Sequence, residues 1–211
     1  MIAVHFAVGP LGCNCTVLGD EKSGEAIVVD GGDDVERITD VLAQHRLKPK
    51  YLIHTHAHFD HIGVLGELRD RVGGEGLLHP GDRPLYAQLE EQGRWVGLPI
   101  RLSPVTLDGD LQDGLVLRAG DVQVTCLHTP GHTPGSTSFE VRLDGETRLL
   151  TGDTLFRGSV GRWDLGGTSL EDIVDSIRSK LLVYPDATPV IPGHGPATTI
   201  GAERAANPYL A

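Results

Sequence analysis

Cysteine is scarce in this chain of 211 residues: only Cys13, Cys15 and Cys126 occur. An odd, sparse count is poor material for a disulfide framework. A bridge between Cys13 and Cys15 would be strained, so reduced thiols in a cytoplasmic protein are expected. Positive charge is short as well. Eighteen Lys and Arg stand against 29 Asp and Glu, a formal net charge of −11, which argues against nucleic acid or an anionic membrane as the main partner. No apolar run approaches the ~20 residues that span a bilayer. No basic segment followed by an apolar one opens the chain, so no export signal is expected. Solenoid repeats and biased segments are also missing. The 28 glycines and 13 prolines fall short of a low-complexity composition and read as tight turns. The length suffices for one sizeable core, or for two lobes.

Histidine is what the chain has, and it is concentrated. His54 to Gly63 reads HTHAHFDHIG, holding four of the ten histidines together with Asp60. The apolar run Tyr51-Leu52-Ile53 leads in, so the stretch starts where a buried strand ends. Residues two apart in an extended segment point the same way, so His56 and His58 can address one point in space. Helical spacing begins at Ile62, Leu65 and Leu68, and a turn there lets Asp60 and His61 aim at a second point beside the first. Crowded buried imidazoles would repel when protonated, and each needs a partner. Packing alone does not account for them. Imidazole and carboxylate suit zinc, iron and manganese.

The rest of the pattern is mixed α/β. Met1 to Val8 and Cys15 to Leu18 predict a hairpin, and Glu25 to Asp30 a buried strand ending at Gly31-Gly32. Asp33 or Asp34 caps a helix with Val35, Ile38, Val41 and Leu42 on its apolar face. Tyr51 to His54 completes a β-α-β passage. Ile62 to Arg71 predicts a helix, Leu77-Leu78 a strand, and Asp82 with Pro84 the start of a helix closed by Gly93. Arg94 to Pro104 shows no period and reads as a loop over the site, with Trp95 packing. Strands follow at 115–118, 122–127, 137–143 and 147–150, with Asp-Gly turns between several. A helix from about Ser169 to Leu182 is capped by Thr168 and Glu171, and Pro189 to Ile191 is a last strand.

Several of these strands end in small polar clusters: HTPGHTPGS after Leu127, TGD after Leu150, PGHG after Ile191. Strand ends on one edge are where loops converge into a site. The candidate ligand set is therefore His56, His58, Asp60, His61, His132, Asp153 and His194. Seven ligands exceed what one tetrahedral zinc needs and suit two cations with a carboxylate between them. Asp153 is the bridging candidate. His54 reads as a wall residue, His128 as a holder of a ligand through its ring N–H, and His5 and His45 as solvated, while His79 reads as a packing residue first and as a pocket residue only second. Asp30 is placed to hydrogen-bond a ligand from behind.

The blocks T-H56-x-H58-x-D60-H61, PGHTPGS, TGDTLF and PGHGP resemble the metallo-β-lactamase superfamily over nearly the whole chain. The resemblance implies a single domain over 1–211, an αββα sandwich with two divalent cations at one edge, zinc first, iron or manganese as alternatives. His56, His58 and His132 would hold one cation, Asp60, His61 and His194 the other, and Asp153 both, with Asp60 also serving catalysis. GPLGCNCTVL, GDTLFRGSVGRWDL and the final PGHGPATTIGAERAANPYL are similar to short glyoxalase II-like hydrolases. The implied activity is hydrolysis of a thioester such as S-(2-hydroxyacyl)glutathione by a hydroxide held between the cations. The helical C-terminal extension that helps full-length glyoxalase II grip glutathione has no room here, so the thiol carrier is open: glutathione, another small thiol or a carrier protein. Arg162 stands where that family has a basic residue in its glutathione site, and Arg162 with Arg157 could pair with a substrate carboxylate. Class B β-lactamases usually lack the histidine matching His61 and carry cysteine in place of Asp153, which sets them apart. Persulfide dioxygenases of the same subgroup use one iron on residues matching His56, His132 and Asp153, and stay as the alternative, ahead of a non-catalytic metal binder.

Overall fold

The computed structural model describes residues 1–97, 101–164 and 167–210, without the side chains of 95 and 96. Two six-stranded sheets lie at its centre. The first is built from β1 (Ile2–Val8), β2 (Cys13–Asp20), β3 (Glu25–Val29), β4 (Lys48–Ile53), β5 (Glu75–Leu78) and β6 (Gly109–Asp110), in sequential order. β1, β2 and β3 pair antiparallel, whereas β3 to β6 are parallel. The parallel half needs crossovers, and α1 (Val35–Gln44), α2 (Phe59–Ile62), α3 (Leu65–Val72), α4 (Arg83–Tyr86) and α5 (Leu89–Val96) lie within those connections.

The second sheet takes β7 (Val116–Ala119), β8 (Val122–His128), β9 (Thr137–Leu143), β10 (Glu146–Gly152), β13 (Pro189–Pro192) and β14 (Thr198–Thr199), in the order β14-β13-β10-β9-β8-β7. β11 (Leu155–Phe156) and β12 (Ser159–Val160) form a separate small hairpin, while α6 (Leu170–Ser176) and α7 (Ile200–Ala206) flank the second sheet. The β9–β10 turn is Asp144-Gly145, both at positive φ, which matches the twist of a tight hairpin.

Side-chain alternation assigns the layers. Ile27, Val29, Ile53 and Leu77 share a buried cluster with Val124, Cys126, Phe139 and Val141 of the other sheet. Their neighbours Val28, Leu52 and Leu78 turn to the opposite face and meet Val35, Ile38, Leu65 and Leu68 of the helices. Leu149 and Val190 face away from the sheet interface onto Ile173, Ile177 and Ile200. Both faces of each sheet are covered, giving the expected αββα order. Each such aliphatic side chain contributes about 1.5–3 kcal/mol on burial. Among the described residues no helix is long and apolar enough to cross a membrane.

Several local expectations are corrected. The capping box at α6 is Ser169 with Asp172, one residue beyond Thr168 and Glu171. Thr168 instead gives its hydroxyl to the Trp163 carbonyl. Asp34 precedes α1 without capping it, because its carboxylate accepts the Gly9 N–H. α5 runs through Gly93, where a Cβ would collide with Leu102 Cδ1 at 2.8 Å, and ends at Gly97 in the left-handed region. The expected loop from Arg94 therefore begins as helix. Residues 98–100 and the side chain of Trp95 lie outside the described residues. The helix expected from Ile62 to Arg71 is interrupted between α2 and α3.

Candidate metal centre

Loops from both sheets meet at one edge of the sandwich. The His56–His61 stretch follows β4, His132 lies between β8 and β9, Asp153 follows β10 and His194 follows β13. Backbone ties hold these loops together. Thr137 N–H donates to the Thr55 carbonyl, Gly193 N–H to Gly152, and Asn14 N–H to Gly193, at 2.7–2.8 Å. Gly193 is required by closeness: a Cβ there would lie 2.2 Å from Asp153 Oδ1 and 2.8 Å from the His61 ring.

All seven candidate ligands come together. His56, His58 and His132 offer three nitrogens within 4.8 Å of one another, with His132 Nε2 2.9 Å from His58 Nδ1. Beside them, Asp60 Oδ2 lies 3.1 Å from His194 Nε2 and 3.7 Å from His61 Nε2. Asp153 stands between the two sets. Its Oδ1 is 3.5 Å from His61 Nε2 and 3.8 Å from His194 Nε2, and its Oδ2 is 3.6 Å from His132 Nε2.

The outer ring nitrogens decide where the lone pairs point. His132 Nδ1 donates to the Arg162 carbonyl at 2.7 Å, and His194 Nδ1 to the Leu11 carbonyl at 3.2 Å. His61 Nδ1 donates to Asp30 Oδ2 at 3.0 Å. Thr55 gives its hydroxyl proton to the same Asp30 oxygen and so accepts from His56 Nδ1 at 3.1 Å. With these N–H groups turned outward, the Nε2 atoms converge on the centre. His56 Nε2 and Asp153 Oδ1 are buried without a hydrogen-bond partner. Unpartnered buried acceptors are costly, and here His56 and Asp153, together with His61, offer ligand atoms within 4.8 Å of one another. Divalent cations fit such a site.

Electrostatics sort the residues further. Burial pushes the His56 pKa well down and that of His58 down to about 3, reinforced by neighbouring imidazoles, so both are ready as neutral ligands. Burial works against the carboxylate of Asp60, yet His61 and His194 hold its pKa below the usual range. Burial likewise opposes the imidazolium of His61. Cys13 lies 3.5 Å from its Nδ1, but burial raises that thiol to about 12 and keeps it neutral. Asp60, Asp30 and Asp153 are the charges that hold the His61 pKa up.

The chain matches the family model described as "Metallo-beta-lactamase superfamily" over residues 8–194. It belongs to that superfamily. A "Probable metallo-hydrolase YqgX" of Bacillus subtilis is 35% identical, covering 98% of this chain and 96% of its own length. A "Hydroxyacylglutathione hydrolase GloC" of Haemophilus influenzae is 36% identical over 93% of this chain and 92% of its own. Among solved structures, one described as BLEG-1 B3 metallo-beta-lactamase superposes with a TM-score of 0.88 at 36% identity, and TTHA1623 in a di-iron-bound form with 0.85 at 36%, both over the full length of each chain. ETHE1 from Myxococcus xanthus gives 0.81 at 26%, over 99% of this chain and 84% of its own.

Residues around this superfamily centre did not all take the expected places. Asp30 stands behind His61 and Thr55, as expected. His54 is buried with Nδ1 on the His61 carbonyl. His128 does not hold a ligand: its Nε2 reaches the Pro134 carbonyl, and its ring stacks on His79 at 4.0 Å. The Arg162 guanidinium is exposed and paired with Asp164 at 2.9 Å, while its carbonyl is what orients His132. Arg157 is exposed on the β11–β12 hairpin. Thr55, Cys13, Asp82 and Gln92 were missed. Asp82 and Gln92 bind the backbone of Ala57 and Phe59 between the ligands, contacts with no signature in local sequence.

Proposed function

We propose that this protein is a metal-dependent thioesterase of glyoxalase II type, hydrolysing S-(2-hydroxyacyl)glutathione or a related thioester. The observation that carries the reading is the split carboxylate of Asp153, one oxygen toward His132 and the other toward His61 and His194. That arrangement suits two divalent cations, zinc first, held by His56, His58 and His132 on one side and by Asp60, His61 and His194 on the other, with Asp153 shared. When bound, such a pair supplies a water of lowered pKa and positive charge for the carbonyl oxygen.

The protein's own groups then orient the reaction. Asp60, 3.1 Å from His194 Nε2, accepts a hydrogen bond from the attacking water and holds it on line. The outward N–H bonds of His56, His61, His132 and His194 keep the rings from rotating. The leaving thiolate has a conjugate pKa of about 8.5, so it departs without a strong general acid. Arg157 and Arg162 receive the carboxylates of a thiol carrier. Arg162 must first release Asp164, and an exposed pair of this kind costs only about 0–1 kcal/mol to break.

Metal analysis with an S-lactoylglutathione hydrolysis assay tests this. Two cations per chain and turnover abolished by chelation support it. Full activity after exhaustive chelation refutes it. A second reading, a mononuclear-iron persulfide dioxygenase, draws only on iron being held in this fold by a similar structure, described as di-iron-bound, and is tested by oxygen uptake with glutathione persulfide on protein carrying one iron per chain. The neighbour described as a B3 metallo-beta-lactamase runs against the expectation that β-lactamases lie apart, so turnover of a β-lactam belongs in the same assay.

A further inference from the structure

A cavity of about 270 Å³ opens beside His58 and His132, walled by Pro84, Leu85, Pro134 and Gln88. Pockets that enclose a whole drug-sized ligand run to ~300–1,000 Å³, so this one suits part of a substrate. No Lys or Arg lines it among the described residues. A carboxylate or phosphate entering it would lose hydration without meeting a cationic side chain among the described residues, in a chain that already carries −11. Both arginines assigned to the thiol carrier lie elsewhere, on the segment that runs from the β11–β12 hairpin past the Arg162 carbonyl that bonds His132.

We infer that this cavity is the acyl pocket: it takes a short, uncharged acyl group, Leu85 limits its length, and the exposed Gln88 amide hydrogen-bonds a 2-hydroxyl. The inference rests on the thioesterase reading. It assigns the two ends of the substrate to opposite sides of His132, acyl group toward α4 and thiol carrier toward Arg162.

The test uses the metal-loaded full chain with S-acetyl-, S-propionyl-, S-lactoyl- and S-mandeloylglutathione, and with lactoyl and mandeloyl thioesters of uncharged N-acetylcysteamine. Leu85→Trp is expected to raise KM for the mandeloyl thioesters, on either thiol, by roughly tenfold or more relative to its effect on the acetyl thioester. Should Leu85→Trp fail to fold, Leu85→Ala gives the opposite shift, favouring the bulkier acyl group. Gln88→Leu is expected to lose a roughly fivefold preference for lactoyl over propionyl, the worth of one hydrogen bond. Effects that follow the thiol, or that are equal for every acyl group, overturn the assignment while thioester hydrolysis stands. Wild-type protein inert to all these thioesters overturns both.

Discussion

Replacing Asp82 with alanine should unfasten the centre without touching a ligand. Asp82 is fully buried. Its carboxylate accepts the Ala57 N–H at 2.9 Å, the Thr133 hydroxyl at 2.8 Å and the Gly135 N–H at 2.6 Å. Ala57 sits between His56 and His58, and Thr133 follows His132, so one side chain joins the two loops of the first donor set. Burial pushes the Asp82 pKa up despite the three donors; the charge is costly to bury, and its removal strands its partners. Thr133 can turn to Ser136, 2.8 Å away, but the two backbone N–H groups have no substitute. At about 1–3 kcal/mol for each of the two stranded donors, Asp82→Ala should lose about 2–6 kcal/mol. With an m-value near 3 kcal/mol/M, the urea midpoint of the chelated protein falls by roughly 0.7–2 M. Zinc affinity, measured by chelator competition, should drop about 10–100-fold, the usual cost of removing a group behind the ligands. Asp82→Asn keeps one accepting oxygen and should lose about half as much stability. A midpoint shift under ~0.3 M in Asp82→Ala, with unchanged zinc affinity, would refute the clamp.

Other outcomes follow from the same geometry. Asp153→Asn weakens the shared ligand and should reduce bound metal from two per chain to one or fewer by elemental analysis; two retained ions would contradict the bridging role. Burial holds the His54 pKa down at about 4, below the ~6.5 of an unfolded chain. Between those values the unfolded state binds the extra proton, so stability falls as pH drops from about 6.5 to 4, by about 3 kcal/mol for this one group. In His54→Gln the difference between urea midpoints at pH 6.5 and pH 4.5, with chelator present, should shrink; an unchanged difference removes His54 as a cause. Arg162→Ala should raise KM for a glutathione thioester roughly three- to fivefold, the scale of one exposed ion pair, and leave an N-acetylcysteamine thioester unaffected. Equal effects on both would place Arg162 away from the carrier.

Much of the sandwich was legible because its strands carry strong patterns. Val28 and Val29 belong to one apolar run because both faces of β3 are covered, and Phe139, Val141 and Leu143 alternate toward the sheet interface. Elements of two residues, β6, β11, β12 and β14, are too short to show a period, and α7 was not foreseen. Gly93 reads as a helix stop in sequence but lies inside α5, where Leu102 occupies the space a side chain would take. His128 stands in a histidine-rich cluster with His132, yet the β8–β9 turn gives it to His79 instead.

The sequence alone determined the donor inventory and its place at strand ends, because HTHAHFDH, PGH, TGD and PGHG are compact, local and hard to attribute to packing. Tertiary structure decided which lone pair faces the centre. Three of the four outward protons are claimed by distant partners: Asp30 for His61, Arg162 for His132 and Leu11 for His194. It also decided what clamps the loops, since Asp82 reaches Ala57 and Gly135 across separations of 25 and 53 residues. Hydrogen bonds formed at such range leave no period and no neighbouring signal, so only the folded chain reveals them.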